Sequence, residues 1–268
     1  MEVSDRQELV KIFKETRDLS LSKYLNETSE LKSNVKVYSE PLKLVEPSNN
    51  INDVYIVEGG TLEVASKYAD KYHVAVLNFA SSTHPGGGVR SGSRAQEENI
   101  CRCSNLYEGL TINKCIKEYY EYNRDNYNNG LCTDVTIYLP NVTVFKDDKT
   151  YKQVNEYKVD VITCPAPKCY FYDDNDAYNV YLKRIEQIIL SAIDNKADCI
   201  VLGAWGCGAY KQDPALISRA FIDNLHKYSG YFKKVLFGIK PAAGWNDDNY
   251  TIFLREFKNY YKGNVFDK

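Results

Sequence analysis

The second half of the chain constrains the fold most, because short apolar runs alternate there with amphipathic helical patterns. From residue 158 onward the order is strand, helix, strand, helix, strand, helix. Such alternation predicts parallel strands joined by helices, and the near-continuous apolar strands predict a sheet covered on both faces. The predicted strands are 159–164, 199–204 and 235–239, and the helices lie around 185–193, at 213–227 and from about Asp247 onward.

The first half is predicted to add further helices and strands to the same sheet. Ser4 and Gln7 have the spacing of a capping box, and the apolar residues that follow recur at helical spacing. The other predicted helices are 61–71, 95–109 and 112–124, and the other predicted strands are 35–38, 54–57, 73–79, 135–139 and 142–145.

The two runs 135–139 and 142–145 are separated only by Pro140 and Asn141, which predicts a hairpin and therefore a mixed sheet. We therefore predict one three-layer α/β/α domain over residues 1–268. Its first 50 residues form an N-terminal helical extension, and residues from about 50 to 265 form the core.

Composition excludes several classes of protein. The 268 residues are 44% apolar and 26% charged, unlike a collagen-like or disordered chain. A net charge of -2 provides no basic field for nucleic acid. No uncharged apolar run approaches the length of a membrane span, and the charged N-terminus has no signal-peptide pattern. The eight cysteines are therefore expected to be reduced thiols in the cytoplasm.

Three consecutive glycines, Gly86, Gly87 and Gly88, lie in the loop after the predicted strand 73–79. Because glycine has no Cβ, this stretch can adopt positive φ and bring its backbone N–H groups close to a ligand. Such N–H groups bind phosphate oxygens without a positively charged protein. An ordinary turn needs one or two glycines, so the triplet favours an anion site.

A second glycine loop follows the predicted strand 199–204. Gly206 and Gly208 flank Cys207 there, and the Asp213-Pro214 pair predicts a helix start shortly afterwards. Tight turns alone explain these two glycines as well as a ligand site does. Because ligands bind outside the carboxyl ends of strands in such sheets, the two loops could enclose a diphosphate.

Glu97 and Glu98 follow the first glycine loop, at the start of a predicted helix. Adjacent helical residues point about 100° apart, so the two carboxylates cannot face one bond in the same way. One could do acid–base work while the other fixes a substrate hydroxyl. Acidic residues also stabilise helix starts without any chemistry, but the position directly after the glycine loop favours catalysis.

Other chemistries have weaker support. The glycines match neither the dinucleotide-binding pattern G-x-G-x-x-G nor the G-K-[ST] ending of a nucleotide-triphosphate loop. Cys207 could be a reactive thiol near a helix start, but no histidine is positioned in the sequence to activate it. We predict no metal site, because His73, His84 and His226 form no i, i+4 pair and the cysteines lack paired C-x2-C spacing.

The stretch from Asn78 to Tyr107 carries Pro-Gly-Gly-Gly, a seven-residue spacer and Gln-Glu-Glu. In these features it resembles the bacterial-type poly(ADP-ribose) glycohydrolases, a branch of the macrodomain superfamily. Residues 203–210 with Asp213 and Pro214 resemble the second ligand loop of that family, and the likeness extends in outline over about residues 50–260. The resemblance implies a macrodomain-like mixed sheet. It also implies hydrolysis of the O-glycosidic bond of poly(ADP-ribose) or of ADP-ribose attached to a macromolecule.

The resemblance also implies roles for individual residues. Glu98 would be the catalytic carboxyl, acting as general acid and base, and Glu97 would orient the distal ribose. Gln96 would brace the loop. Tyr210 stands where the family usually has phenylalanine, so its hydroxyl needs a partner if it is buried. The remaining implied substrate contacts are Asn78, Gly86, Gly87, Gly88, Gly206, Cys207, Gly208 and Ala209.

Two functions from different classes remain open at this point. The chain is either a glycohydrolase of ADP-ribosyl linkages or a module that binds ADP-ribose without cleaving it. The paired carboxylates favour the enzyme, because a binding module has no need of them. We expect a monomer without a cofactor or membrane contact, whose substrate is ADP-ribose or an ADP-ribosylated macromolecule. Tyr107 could close over the pocket or pack in the core.

Overall fold

The computed structural model describes residues 5–42, 52–170, 172–240 and 248–268, which contain an eight-stranded mixed sheet. In chain order the strands are β1 (Lys36–Tyr38), β2 (Val54–Glu58), β3 (Val74–Phe79), β4 (Thr136–Lys146), β5 (Gln153–Cys164), β6 (Cys199–Leu202), β7 (Lys234–Ile239) and β8 (Val265–Asp267).

The strand order across the sheet is β1-β4-β5-β3-β6-β7-β2-β8. Among these described strands, β1 and β5 run antiparallel to β4, and the remaining neighbours are parallel. The prediction of a mixed α/β sheet is therefore confirmed. The parallel part contains the strands that the alternating pattern predicted.

Helices cover both faces of the sheet, which gives three layers. One face carries α1 (Arg6–Ser20), α2 (Leu25–Asn34), α3 (Thr61–Ser66), α4 (Gln96–Cys103), α5 (Leu106–Leu110), α6 (Asn113–Cys115), a π-helical segment (Ile116–Glu121) and α7 (Tyr122–Asp125). The other face carries α8 (Asp174–Asp194), α9 (Pro214–Lys227) and α10 (Asn249–Tyr260). Short 3₁₀ turns lie at Val89–Ser91 and Asn128–Gly130. Within the described ranges, no helix is long and apolar enough to cross a membrane.

The strands divide their side chains between two apolar cores. In β2, Val54 and Ile56 pack towards α8, α9 and α10, whereas Tyr55 and Val57 pack on the opposite face. This is the two-residue alternation of a strand. Because both faces are buried, the strand reads in the sequence as a continuous apolar run.

The predicted hairpin at 135–145 is wrong. The chain continues through the supposed turn as the single strand β4, with a register shift between Leu139 and Val142. Asn141 adopts a positive φ of 55°, and its N–H donates to Oδ1 of Asp160 at 2.8 Å. A β-bulge of this kind inserts one extra residue without reversing the chain. The hairpin partner of β4 is β5.

Several predicted helices are more broken than their apolar patterns suggest. The helix predicted at 95–109 divides at Ser104, which is extended and forms an isolated bridge with Val144. The helix predicted at 61–71 ends as α3 at residue 66, and the one at 112–124 contains the π-helical segment. The apolar pattern alone therefore does not set these boundaries.

Two predicted helix starts involve residues outside the described part of the chain. Ser4 is one of them, and the N-cap of α1 is Asp5, whose side chain accepts a hydrogen bond from the Gln7 N–H at 3.0 Å. Asp247 is the other, and α10 is capped by Asp248. In both helices an aspartate satisfies a backbone N–H of the first turn, as capping requires.

The N-terminal segment packs against α4, the helix that carries the paired glutamates. Thr16 Oγ1 donates to the Arg102 carbonyl at 2.6 Å. The buried Arg102 guanidinium donates in return to the Leu9 carbonyl at 3.2 Å and to the Ser93 carbonyl. The ammonium of Lys146 donates to Thr16 Oγ1 at 2.9 Å. These buried charged donors tie α1 to α4, to β4 and to the end of the first glycine loop.

Candidate active site

A cavity of about 960 Å³ opens at the carboxyl ends of the parallel strands β2, β3, β6 and β7. Because β3 and β6 are neighbours in the sheet, the loops that follow them stand side by side, as expected for a ligand site in an α/β sheet. Of the predicted site residues, Gly87, Gly88, Gln96, Glu97, Glu98, Gly206, Gly208, Ala209 and Tyr210 line the cavity.

Gln96 fixes the first turn of α4 against the end of β3. Its Oε1 accepts a hydrogen bond from the Phe79 N–H at 2.8 Å. Its Nε2 donates to the Leu77 carbonyl at 2.7 Å and to Thr61 Oγ1 at 3.0 Å. These three bonds join α4, β3 and the start of α3, so the two glutamates that follow have a defined position.

Glu97 is held by protein groups through both carboxyl oxygens. Its Oε2 accepts from the Ser81 N–H at 2.7 Å, and Oε1 accepts from Asn78 Nδ2 at 3.4 Å. The residue is only 2% exposed. Burial, with a smaller contribution from the neighbouring Glu98 charge, raises the pKa of Glu97 to about 8. Glu97 is therefore largely protonated at neutral pH and can donate a hydrogen bond.

Glu98 differs from Glu97 because one of its oxygens has no partner. Oε1 accepts from the Gly88 N–H at 2.8 Å. Oε2 is buried and has no hydrogen bond to any group in the described part of the chain. Buried polar atoms normally have a partner, and an unsatisfied one is typical of a site that a substrate completes. Glu98 is thus the glutamate with an oxygen available for chemistry.

The closeness of the two carboxylates to the loop requires a glycine at position 87. Gly87 has a φ of +56°, and a Cβ there would lie 2.6 Å from Oε1 of Glu98 and 3.0 Å from Oε2 of Glu97. Any side chain at this position would displace one carboxylate. The glycine triplet therefore leaves room for the two carboxylates as well as for a potential ligand.

The two glycines of the second loop have different surroundings. Gly206 has a φ of +85°, and a Cβ there would lie 2.5 Å from the hydroxyl of Tyr181, so protein packing alone requires glycine. A Cβ at Gly208 would meet no protein atom within 4 Å. Folding therefore explains Gly206, whereas Gly208 presents bare backbone towards the cavity.

The structure places Asn78 and Gly86 behind the cavity wall, outside the residues that line the cavity. Asn78 instead supports Glu97, and its other amide contact is Thr163 Oγ1 at 3.2 Å. Gly86 faces the ring of Tyr107, to which a Cβ would come within 2.8 Å. Tyr107 itself packs edge-on against a phenylalanine of α1, with ring centroids 4.9 Å apart, so it belongs to the core.

Cys207 lies between two lining residues, but is not itself among the residues that line the cavity, and its side chain is buried. Its Sγ is 3.9 Å from the Trp205 carbonyl oxygen. Burial raises the pKa of the Cys207 thiol well above its usual value, which opposes the thiolate that a nucleophile needs. In the described ranges, no three His, Cys, Asp or Glu side chains come together as a metal site would require.

The far end of the cavity is formed by residues that the sequence analysis missed. Gly59 and Gly60 follow β2, Lys240 follows β7, and Asp148 and Lys149 lie in the turn between β4 and β5. The glycine pair was a usable signal, because the ends of parallel strands meet at one edge of a sheet. Asp148 and Lys149 gave no such signal in the sequence, since the tip of an antiparallel hairpin reaches the cavity only in the folded chain.

The raised pKa of Glu97 predicts that stability depends on pH. Between about pH 4.3, where a free glutamate titrates, and about pH 8, folded Glu97 keeps a proton that the unfolded chain has released. The free energy of unfolding therefore falls as pH rises through this range, by at most ~1.4 kcal/mol per unit. Glu97→Gln cannot ionise and should lose this component. Urea denaturation at about pH 5.5 and about pH 8.5 measures it, and equal pH slopes for both proteins would contradict the assignment.

The fold is that of the macrodomain-like α/β proteins, with the acidic pair in the cleft between its two glycine loops. A family model described as the catalytic domain of microbial-type PARG matches residues 8–147, more than half of the chain. The chain therefore belongs to the microbial-type poly(ADP-ribose) glycohydrolase family. This membership confirms the prediction of an ADP-ribosyl glycohydrolase over that of a non-catalytic binding module.

Solved structures agree with this assignment. Poly(ADP-ribose) glycohydrolase from Thermomonospora curvata is 26% identical, with a TM-score of 0.83, and the match covers 94% of this chain and 100% of that one. The same enzyme bound to the inhibitor ADP-HPD gives 26% and 0.82 with the same coverage. The Deinococcus radiodurans enzyme in complex with ADP-ribose gives 27% and 0.76, covering 87% of this chain and 97% of that one. No curated protein matches the sequence.

Proposed function

We propose that the cavity binds an ADP-ribosyl group and that Glu98 catalyses cleavage of the O-glycosidic bond at its distal ribose. The observation that carries the proposal is the carboxyl group of Glu98. One oxygen is fixed by the Gly88 N–H, and the other is buried without a partner among the described residues. The relatives solved with ADP-ribose and with ADP-HPD support the choice of ligand.

The cavity has the size and the wall chemistry for this ligand. Its volume of about 960 Å³ lies within the range for small-molecule sites. The diphosphate lies between Gly88 and Gly208, where bare backbone can approach it. The distal ribose lies at the end lined by Glu97, Glu98 and Tyr210, so the adenosine extends towards the far end beyond β2.

In this mechanism the carboxyl group of Glu98 acts first as general acid and then as general base. Glu98 acts as the general acid and transfers a proton to the leaving oxygen as the bond to the anomeric carbon breaks. Positive charge develops on the ribose, and the nearby diphosphate stabilises it. The Glu98 carboxylate then takes a proton from a water molecule whose oxygen bonds to the anomeric carbon, which restores the acid. Glu97 donates a hydrogen bond to a ribose hydroxyl and keeps the sugar aligned.

The direct test is release of free ADP-ribose. The protein is incubated separately with poly(ADP-ribose) and with mono-ADP-ribosylated protein, and soluble ADP-ribose is quantified by chromatography. We expect release from at least one of the two substrates. Tight binding of ADP-ribose with no release from either would refute catalysis by this site.

Gly208→Ala tests whether Gly208 contacts the ligand or serves only a tight turn of the backbone. A methyl group there meets no protein atom within 4 Å, so thermal stability should stay unchanged. It would project towards the diphosphate, and we expect ADP-ribose affinity measured by calorimetry to fall about tenfold or more. Gly206→Ala is the comparison, because its methyl group would clash with Tyr181 and lower the melting temperature. Unchanged affinity in Gly208→Ala would remove Gly208 from the site.

We also propose that the enzyme acts as a cytoplasmic monomer, with the extension 1–50 and the core 50–265 in one domain. The contacts of α1 with α4 join the extension to the core. All eight cysteines are free thiols, seven of them buried, as suits a reducing compartment. Light scattering of the active protein tests the monomer, and an obligate dimer would contradict it.

A further inference from the structure

A lysine side chain is held between two tyrosine rings, one of which lines the cavity. The ammonium of Lys168 lies 4.6 Å from the ring centroid of Tyr210, which lines the cavity, and 5.9 Å from that of Tyr127. Its Nζ also donates to the Tyr127 hydroxyl at 3.3 Å. Two aromatic faces and one hydroxyl therefore fix the position of this positive charge.

The backbone beneath Lys168 is rigidly supported. The Lys168 N–H donates to the Gly130 carbonyl at 3.1 Å, and the lysine stem packs so closely on Gly130 that a Cβ there would lie 2.7 Å from Cδ. Buried Tyr181 donates to the carbonyl of Pro167 at 3.0 Å, and buried Arg184 donates to that of Pro165 at 3.1 Å. Buried side chains therefore fix the backbone that carries Lys168, unlike that of a lysine on a mobile loop.

The positive charge of Lys168 is not neutralised by a carboxylate. Among the described residues, no Asp or Glu oxygen lies within 4.0 Å of its ammonium. The groups that contact it are neutral tyrosines. An ammonium that is fixed in place and lacks an anionic partner can bind a phosphate as a point charge.

The position of Lys168 indicates which part of a substrate would reach it. This step rests on the proposed function, in which the scissile bond lies near Glu98 and Tyr210. Atoms beyond that bond belong to the acceptor that leaves. In poly(ADP-ribose) the acceptor is the adenosine ribose of the next unit, which carries its own diphosphate. A protein side chain as acceptor brings no phosphate.

We infer that Lys168, with Tyr127 and Tyr210, forms an acceptor subsite that binds the diphosphate of the next ADP-ribose unit and so favours the polymer as substrate. The exposed ring of Tyr127 offers a face on which the adenine of that unit can stack. A nucleic acid acceptor also carries phosphates. The net charge of -2 makes an extended nucleic-acid surface the weaker choice.

Lys168→Met tests the subsite, because methionine keeps an apolar stem against Gly130 and removes the charge. The substrates are poly(ADP-ribose), an ADP-ribosylated serine peptide, an ADP-ribosylated DNA oligonucleotide, and ADP-ribose linked to a small neutral phenol. We expect kcat/KM for the polymer to fall about tenfold, with little change for the peptide and the phenol. The decrease of polymer cleavage with added salt should also become shallower.

Two further variants make the result specific. Lys168→Arg should restore part of the polymer activity, because it restores the charge. Lys71 is an exposed lysine that precedes β3, so it lies at the amino ends of the strands, opposite the cavity. Lys71→Ala should leave cleavage of all four substrates unchanged. An equal loss on every substrate would mean that Lys168 serves the cavity or the fold. No loss on the polymer, or a loss confined to the DNA, would also overturn the inference.

Binding measurements separate this inference from the proposed function. If the wild-type protein cleaves none of the four substrates, the proposed catalysis fails, but the subsite can still be measured. Polymer affinity of Glu98→Gln is then compared with that of Glu98→Gln combined with Lys168→Met. We expect about tenfold weaker polymer binding in the double variant and equal affinity for free ADP-ribose. Equal polymer affinity would reject the subsite.

Discussion

Replacing Glu98 with glutamine should abolish turnover while ADP-ribose still binds. The substitution keeps the shape of the side chain and can still accept a hydrogen bond from the Gly88 N–H. It removes the only group that we assign to proton transfer, so kcat should fall by at least about 10³-fold. The dissociation constant for ADP-ribose should change by less than about fivefold, because the phosphate-binding walls remain. Release of ADP-ribose and calorimetric titration provide the two measurements.

The matched control is Glu118→Gln, an exposed glutamate in the π-helical segment. This variant should have wild-type kinetics. If Glu98→Gln retained a substantial part of the wild-type rate, another group would have to protonate the leaving oxygen. Glu97 would then be the first candidate, because its raised pKa keeps it protonated near neutral pH.

Gly87→Ala should lower kcat by about 10²-fold or more, because the added methyl group must displace a carboxylate. A Cβ at this position would lie 2.6 Å from Oε1 of Glu98, and the φ of +56° disfavours alanine as well. Initial-rate kinetics with poly(ADP-ribose) measure the loss, and thermal unfolding shows whether the variant is folded.

Gly208→Ala distinguishes this effect from simple crowding of the cavity. It should raise KM more than it lowers kcat, because its methyl group would lie at the proposed diphosphate position and would meet no protein atom within 4 Å, the acidic pair included. The same kinetic pattern in both glycine variants would show that Gly87 acts on binding alone. The contact between the glycine loop and Glu98 would then have no catalytic meaning.

Local patterns in the sequence predicted the central part of the fold and one end of the site. The parallel strands are short apolar runs with helices between them, and these signals need no knowledge of distant residues. The rule that ligands bind at the carboxyl ends of such strands then selected the loops after β3 and β6. Both glutamates and most of the selected glycines line the cavity in the structure.

The features that sequence reasoning missed depend on contacts between distant parts of the chain. The bulge in β4 looked like a turn, because pairing with β5 and the bond from Asn141 to Asp160 cannot be read from one strand. Asp148 reaches the cavity only because the hairpin tip lies beside Gly60. Gly206 and Gly208 are equivalent in the sequence, and only the folded chain separates their roles, through the positive φ of Gly206 and its contact with Tyr181.

The contacts between α1 and α4 have a practical consequence for designing shorter versions of this enzyme. A catalytic fragment that begins near residue 50 would look reasonable from the motifs alone. It would leave the buried guanidinium of Arg102 without its Leu9 acceptor and the ammonium of Lys146 without Thr16. Buried cations that lose their acceptors are strongly destabilising. Truncation should therefore loosen the helix that presents Glu98, even though no residue of the motif has been removed.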